Sequence, residues 1–417
     1  MVDKGAIELS PLSQEELDRI IKSHRMYSEG SVGGARAVLT DRDLSNLDFH
    51  SADMNGADFS RSKFKHSNMS AADFTNAIFS GCDLRSANLQ HAKLARADFR
   101  GAKVCGANLH KADLNKADLR KGELTGYGVS AREEGRTLFT GAKLSEANLN
   151  GIRAADADFT DANLSAVLLI DADLKNATLL GANLSDSDLT GATLTNADMS
   201  DAIITGANMA STERGRLKLD RAITSESSGQ SLDNNPADLK TLLLAHVTWI
   251  ETAGKKGKQL NLSGYDLRSM TQLNKMPLTA CKAQKANFID MDLSGMHLQS
   301  AHFEDSDFRD SNLSRSDMRG THFDRSNFTR ANMRNVKACP LKIGKGLLST
   351  NMSECNFKYA DFENADLRDV NFTGADLSHT NLNGADLRGA IFDNTKLFSV
   401  YFEDAQIDAA SLVKFIG

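Results

Sequence analysis

Large apolar side chains recur at every fifth residue of this chain, and that spacing restricts the possible folds more than any other feature of the sequence. From Leu39 to Met209 the fifth residue is Leu, Phe, Met, Val or Ile at 33 of 35 positions, the exceptions being Glu134 and Ala154. Two residues before each large one there is usually a small one, as in Ala52-Asp53-Met54, Ala107-Asn108-Leu109 and Ala182-Asn183-Leu184, and Gly often closes the unit, as at Gly101, Gly141 and Gly181. A second array runs from Phe288 to Met333 and continues, one register earlier, from Phe357 to Leu412. On an α-helix a step of five residues advances ~140° net, which would smear the apolar column around the whole surface. In a flat strand an odd step places successive large residues on opposite faces. The chain therefore turns a corner once per repeat. The small residue (position i−2) and the large one (position i) point inward, while positions i−1, i+1 and i+2 face water or form the corner. Such a coil needs neighbours above and below to pair its N–H and C=O groups, so the coils stack in one dimension. Proline cannot donate to such pairing, and Pro11, Pro236, Pro277 and Pro340 all fall outside the clean arrays.

The A-(D/N)-L-x-x units, such as Ala87-Asn88-Leu89 and Ala385-Asp386-Leu387, resemble those of the pentapeptide-repeat proteins, and the resemblance covers about three quarters of the chain. It implies an all-β solenoid: a right-handed, four-sided parallel β-helix with one coil per four repeats. Ahead of the first array, Ser13-Gln14-Glu15-Glu16 reads as a capping box that opens an amphipathic helix with Leu17, Ile20, Ile21 and His24 on one side, ended by Gly30, Gly33 and Gly34. The same order precedes the second array: Asn235-Pro236 as N-cap and first turn, then Leu239, Leu243, His246 and Trp249, then Gly254 and Gly257. Leu17 and Leu239 are 222 residues apart, as are His24 and His246. The expectation is a tandem duplication. Residues 1–38 hold an N-terminal segment with a capping α-helix, 39–223 a first β-helix, 224–235 a polar linker, 236–258 a second capping helix and 259–417 a second β-helix. Each helix would cover the open core and unpaired edge of its own first coil. Of two interruptions, Gly126 to Thr137 resumes in phase and reads as an outward loop, and Asn335 to Met352 shifts the register by one; both are places for partner contacts or tolerated insertions.

A search for chemistry yields little. The aspartates Asp156, Asp158 and Asp161, or Asp171 and Asp173, do not match a calcium loop, and the repeat itself places Asp at i−1, where it is expected to cap backbone groups at corners. Gly254-Lys255-Lys256-Gly257-Lys258 lacks the spacing of a phosphate loop. His297 and His302 have the spacing of a zinc-finger histidine pair but no cysteine pair precedes them. His24 and His246 are expected to pack beneath their helices. Cys82, Cys105, Cys281, Cys339 and Cys355 show no C-x-x-C spacing, and Cys82 and Cys355 take the inward small position in place of Ala. No serine elbow is present. The expectation is a protein that is not an enzyme, with no cofactor and no metal. No run reaches the ~18 apolar residues of a membrane span, and the first residues lack the order of a signal peptide, so a soluble, cytoplasmic protein is expected.

Charge carries more information. Between Arg85 and Lys121 nine basic residues stand against three aspartates, while from Phe139 to Met209 three basic residues stand against ten acidic ones. The second array repeats this, with nine against three from Arg309 to Lys345 and four against eleven from Gly346 to Leu412. With coils of 20 residues, Arg96 and Lys116 stack, as do Arg100 and Arg120. Together with Lys111 and Lys121 they form the candidate binding surface. The function expected is a non-catalytic scaffold presenting rigid faces and loops to a protein partner of unknown identity, with no direct nucleic-acid binding. The rival is a DNA mimic, since the resembling family includes proteins that protect type II topoisomerases from quinolones; a net charge of −6 and the basic bands weigh against it. Binding of an anionic surface through the basic bands is the weakest reading. The apolar tail Leu412-Val413-Lys414-Phe415-Ile416 is expected to fold over the last coil or to mediate self-association.

Overall fold

The computed structural model describes residues 9–122, 135–226, 230–231, 236–270, 273 and 277–408. The chain divides into two compact units, Met1–Glu226 and Ser227–Gly417, which use the same order of elements. In the first, β1 (Ser10–Pro11) precedes α1 (Gln14–Ser28) and pairs in parallel with β2 (Arg42–Asp43). In the second, β3 (Gln230–Ser231) precedes α2 (Pro236–Glu251) and pairs in parallel with β4 (Tyr265–Asp266). Neither β1 nor β3 is legible from the residue pattern, because two residues carry no period.

Beyond the helices the chain pairs through single-residue parallel bridges at position i−1. In the first unit Val38 pairs with Asp58, Asp58 with Ile78 and Ile78 with Asp98, each step being 20 residues. One bridge per five-residue side therefore gives a four-sided coil. The N–H of the large residue donates to the next coil, as from Phe49 to Asn68 O at 2.7 Å, and Asn68 N–H returns to Leu47 O at 3.0 Å. Each corner is a turn closed from the next small residue, as from Ala52 N–H to Phe49 O at 2.9 Å, and its second central residue, Ser51, has φ of 57°. That sign is what a type II turn requires. The aspartates cap the corners as expected: Asp73 Oδ1 accepts the N–H of Thr75 at 3.0 Å, and Asp158 Oδ1 that of Thr160 at 2.9 Å. At some corners the requirement selects Gly over Asp. Gly191 has φ of 70° and sits above Asp171, so that a Cβ there would lie 2.4 Å from Asp171 Oδ1.

Inside, equivalent rings stack at the strand spacing of ~4.8 Å. Phe59, Phe79 and Phe99 follow at centroid distances of 5.2 and 5.1 Å, and Phe288, Phe308 and Phe328 at 4.6 and 4.8 Å. At several positions where Ser or Cys replaces the inward Ala, the side chain donates to a carbonyl of the coil below, while Ser187 and Ser311 donate within their own coil. Examples of the former are Ser62 Oγ to Leu39 O at 2.6 Å, Cys82 Sγ to Phe59 O at 3.0 Å and Cys355 Sγ to Phe323 O at 2.9 Å.

The paired coils extend beyond the clean repeat arrays. Bridges in the first unit continue past Met209 to Ile223. In the second unit they begin before Phe288, with Asn261 paired to Lys282 and Asp266 to Asn287. That first step is 21 residues, and the one extra residue hides the repeat from a strict period of five.

Both interruptions leave the stack continuous. At the first, Lys103 pairs with Leu138 and Asp118 with Arg153, steps of 35 residues that add three whole repeats and so preserve the phase. Gly122 N–H donates to Gly135 O at 2.9 Å across its base, while 123–134, including Gly126, lie outside the described residues. At the second, His322 pairs with Asn351, a step of 29, one short of six repeats, which accounts for the register shift. The extra chain forms an antiparallel hairpin of β5 (Leu341–Ile343) and β6 (Gly346–Leu348). Both re-entry points use a buried threonine. Thr137 Oγ1 accepts from Gly101 N–H at 2.9 Å and donates to Arg120 O at 3.0 Å, and Thr350 Oγ1 accepts from Gly320 N–H at 2.9 Å and donates to Met318 O at 3.1 Å.

The helices lie against their first coils. Ser13 and Glu16 form the reciprocal capping box, Leu17 and His24 are buried, and Ile20 and Ile21 pack on the core. His24 Nδ1 accepts the N–H of Ala37 at 2.9 Å and Nε2–H donates to Asn55 O at 3.1 Å. His246 Nδ1 accepts the N–H of Leu260 at 3.1 Å. Each histidine stacks on the aromatic ring three residues on, Tyr27 at 5.9 Å and Trp249 at 5.7 Å. The expected cap Asn235, the side chain of Leu239, much of 224–235 and the 412–416 tail lie outside the described residues. Among the described residues no helix is long and apolar enough to cross a membrane.

Candidate functional site

The corner grammar decides where the basic side chains go. Arg100 and Arg120 stand at i+1, two residues after the bridging Asp98 and Asp118, which pair with each other one coil apart. Each guanidinium folds back on its own aspartate, at 2.7 Å for Arg100 and 2.8 Å for Arg120. Arg153 reaches Asp118 from the next coil at 3.2 Å. Burial acts to raise the Asp118 pKa, but the hydrogen bonds and charge of Arg120 and the charge of Arg153 outweigh it and hold the carboxyl below its ordinary value. The same hydrogen bond raises Arg120 above the usual arginine value. Arg96 Nε donates to Asn76 Oδ1 at 2.8 Å, and Lys111 meets Glu146 at 3.3 Å. Lys116 is exposed at the same corner as Arg96, and its chain passes beside Gly151.

Of the six candidates, the structure brings Arg100, Arg120 and Lys121 together. With Ser80, Gly122, Ala155 and Asp156 they line a cleft of about 490 Å³ at the foot of the first insertion. Arg96, Lys111 and Lys116 are outside that lining. The band is therefore a lattice of local ion pairs with a basic cleft at one edge. Its partners include acidic residues of neighbouring coils, such as Asp73 for Lys93 at 3.5 Å, which a net charge counted along one segment leaves out. In the second unit Arg309, Arg319 and Arg368 also fold onto aspartates two residues before them, while Arg325 and Arg330 reach Asp305 and Asp310 one coil below. Arg325 and Lys345 do not stack, because the step there is 29 residues: Arg325 N–H donates to Ser353 O at 2.9 Å, and Lys345 stands in the hairpin turn.

His297 and His302 do not form a shared cluster. His302 stacks instead on His322, one coil above, at 4.9 Å with the rings within 2° of parallel. Beside them, donor atoms of Glu304, His322 and Asp324 lie within 4.8 Å of one another, the one such group of three among the described residues. Spacing along the chain misses this group. The signal is H-x-E at 302–304 followed by H-x-D at 322–324, 20 residues on. The cysteines are free thiols. Burial pushes Cys281 up to about 12, and Cys82 and Cys355 also upward, which suits packing and not nucleophilic attack.

The family model described as a pentapeptide repeat region matches residues 52–128. The model described as pentapeptide repeats (8 copies) matches 137–176, 168–206, 278–315, 306–338, 347–374 and 375–412. Among curated proteins none matches at a significant level. Similar solved structures include trypsin-treated QnrB1, a plasmid-mediated fluoroquinolone resistance protein, at 15% identity over 51% of this chain and 96% of that one, with a TM-score of 0.26. HetL, a pentapeptide repeat protein involved in heterocyst differentiation regulation from the cyanobacterium Nostoc, is 18% identical over 91% of this chain and 95% of its own, with a TM-score of 0.15. The pentapeptide repeat protein Rfr23 from the cyanobacterium Cyanothece is 26% identical over 29% of this chain and 90% of its own, with a TM-score of 0.17.

Proposed function

The chain belongs to the pentapeptide-repeat family, and from that premise we propose that it is a non-catalytic cytoplasmic scaffold whose two inserted loops hold a protein partner. In this reading the chain is two right-handed four-sided β-helices in tandem, bounded as 39–223 and 259–417. Residues 1–38 and 236–258 close their N-terminal ends, and 224–235 links them.

One observation carries the proposal: at both insertions the flanking coils stay paired to each other, so the extra chain is added without breaking the stack. The first is closed by Gly122 and Gly135 and re-entered at Thr137, and the second is a hairpin re-entered at Thr350. The second hairpin also offers apolar surface, with Ile343 54% and Leu347 72% exposed beside Lys342 and Lys345. The Arg100, Arg120 and Lys121 cleft includes Gly122, at the base of the first insertion. Aromatic or aliphatic anchors with a basic rim suit a protein partner with an apolar contact and acidic flanks.

The test is affinity capture from the source organism with the full chain and with the double variant Ile343→Ser, Leu347→Ser. A partner held by the first and lost by the second is expected. Capture that is equal in both removes the hairpin from the interface. The DNA-mimic reading is separated by a gyrase supercoiling assay, in which no effect is expected. Many outward aspartates are already engaged by corner N–H groups and arginines, whereas a phosphate mimic needs its charges free.

A further inference from the structure

We propose that Glu304, His322 and Asp324 form a binding site for a divalent first-row transition metal, zinc being the probe of choice, on the outer face of the second unit. The site is built by a departure from the corner grammar. Elsewhere an Asp or Asn at i−1 accepts the N–H of residue i+1, as Asn312 does for Ser314 at 3.1 Å. On two successive coils of one side the roles are exchanged: an imidazole stands at i−1 (His302, His322, paired to each other) and a carboxylate at i+1 (Glu304, Asp324).

Each carboxylate is held from behind by one oxygen and keeps the other available. Glu304 Oε1 accepts from His302 Nδ1–H at 2.9 Å, and its Oε2 is fully buried without a hydrogen-bond partner. Asp324 Oδ1 accepts from Asn351 Nδ2 and, at 2.9 Å, from Ser353 Oγ, while its Oδ2 lies 4.0 Å from His322 Nδ1. Arg325, the next residue along, is engaged by Asp305 at 2.7 and 2.9 Å. A buried carboxylate oxygen with no donor is costly unless a proton or a cation meets it, and one nitrogen with two carboxylate oxygens is a donor set for zinc and its neighbours, not for calcium or magnesium. Donors around a tetrahedral zinc stand about 3.4 Å apart at metal–ligand distances near 2.1 Å. The present set, within 4.8 Å, has only to draw inward by side-chain rotation. The remaining coordination position would be left to water or to a ligand atom from a partner. The His302–Glu304 bond is the kind of outer contact that orients a metal-ligating carboxylate.

The experiment uses the full-length chain, free of any affinity tag and stripped with chelator. Equilibrium dialysis against Zn²⁺ and the visible absorption of the Co²⁺-loaded protein give the affinity, the stoichiometry and the geometry. Saturation by one ion per chain is expected, with Glu304→Gln and His322→Asn each weakening it at least ~10-fold and His302→Gln by ~10–100-fold as a positioning residue. All of these positions face outward, so unchanged far-ultraviolet dichroism is expected, and His91→Asn serves as a control that leaves binding intact. Binding that persists undiminished in both Glu304→Gln and His322→Asn, or no saturable binding by the parent chain, overturns the proposal and leaves His322 and Asp324 as an ordinary surface ion pair.

Discussion

Position within the five-residue unit sets what a side chain contributes more than its chemical type does. Phe74 and Thr75 are neighbours, yet Phe74 is fully buried while Thr75 stands outside with its N–H on Asp73. Phe74→Asp would place an unpartnered carboxylate in the apolar column and cost several kcal/mol, whereas Thr75→Lys should stay within ~0.5 kcal/mol. Denaturant unfolding of the two variants checks this, and equal losses would mean the inward column is misassigned. Among aspartates at one position, burial sets the difference. Asp310 and Arg330 pair across coils at 2.6 Å with side chains 5% and 7% exposed, while Asp201 and Arg221 make an equivalent pair with 37% and 74% exposed. Asp310→Asn removes the charge that faces a buried guanidinium and should cost about 3 kcal/mol. Asp201→Asn loses an exposed pair and should cost under ~1 kcal/mol. A double-mutant cycle with the matching arginine separates pair energy from packing.

At the scale of elements, the capping box of α1 and the equivalence of His24 and His246 were readable, because local chemistry and a 222-residue offset are both written along the chain. What those histidines do was not. Each accepts a backbone N–H from the first coil, from Ala37 and from Leu260, and so joins helix to solenoid as a neutral ring. Burial lowers the pKa of both, more than the Asn55 carbonyl at His24 and the Thr279 backbone near His246 raise it. The folded value thus lies below the unfolded one, ~6.5, and the unfolded state takes up the proton first as pH falls. The stabilisation is complete above ~6.5 and is lost as pH drops toward the folded value. The protection of α1 amides, taken relative to the intrinsic exchange rate at each pH, should therefore fall between pH 7.5 and pH 5, while that of buried coil positions such as Phe79 changes much less. Replacing His24 by Ala, which leaves the Ala37 N–H without its acceptor, should abolish the pH difference and destabilise the helix at both values. The Glu304, His322 and Asp324 group escaped the sequence reading for a related reason: its members meet through the 20-residue coil step, while metal-site searches use spacings of two to five. The basic band was legible as composition, but its neutralisation was not, since Arg100 and Arg120 fold back on aspartates counted only as segment charge.

For the whole molecule, the strict period was enough to find a stacked coil; it failed where a step departs from a multiple of five, at the 21-residue opening step of the second unit and the 29-residue step under the hairpin, and beyond Met209, where Arg214 stands in the apolar column. The two altered steps are loop lengths, which the repeat does not encode. Among the described residues the buried apolar side chains form one cluster from Leu17 to Ala202 and another from Leu243 to Phe392, and none of them belongs to both. Each cluster includes a residue of its own helix, Leu17 or Leu243, and each unit has its own β1–β2 or β3–β4 pair. In a linear stack stability is the sum of coil and nearest-neighbour terms, so a chain cut between units loses only what crosses the cut. Fragments 1–223 and 236–417 should then each be soluble, show a β-type dichroism spectrum with a minor helical part, and melt cooperatively within a few degrees of a transition in the full chain. The second fragment lacks β3 and so leaves the edge of β4 unpaired; extending it to 227–417 should restore any transition it loses. Aggregation of 1–223, or of 227–417, in light scattering would show that the halves need each other and that the boundary is misplaced.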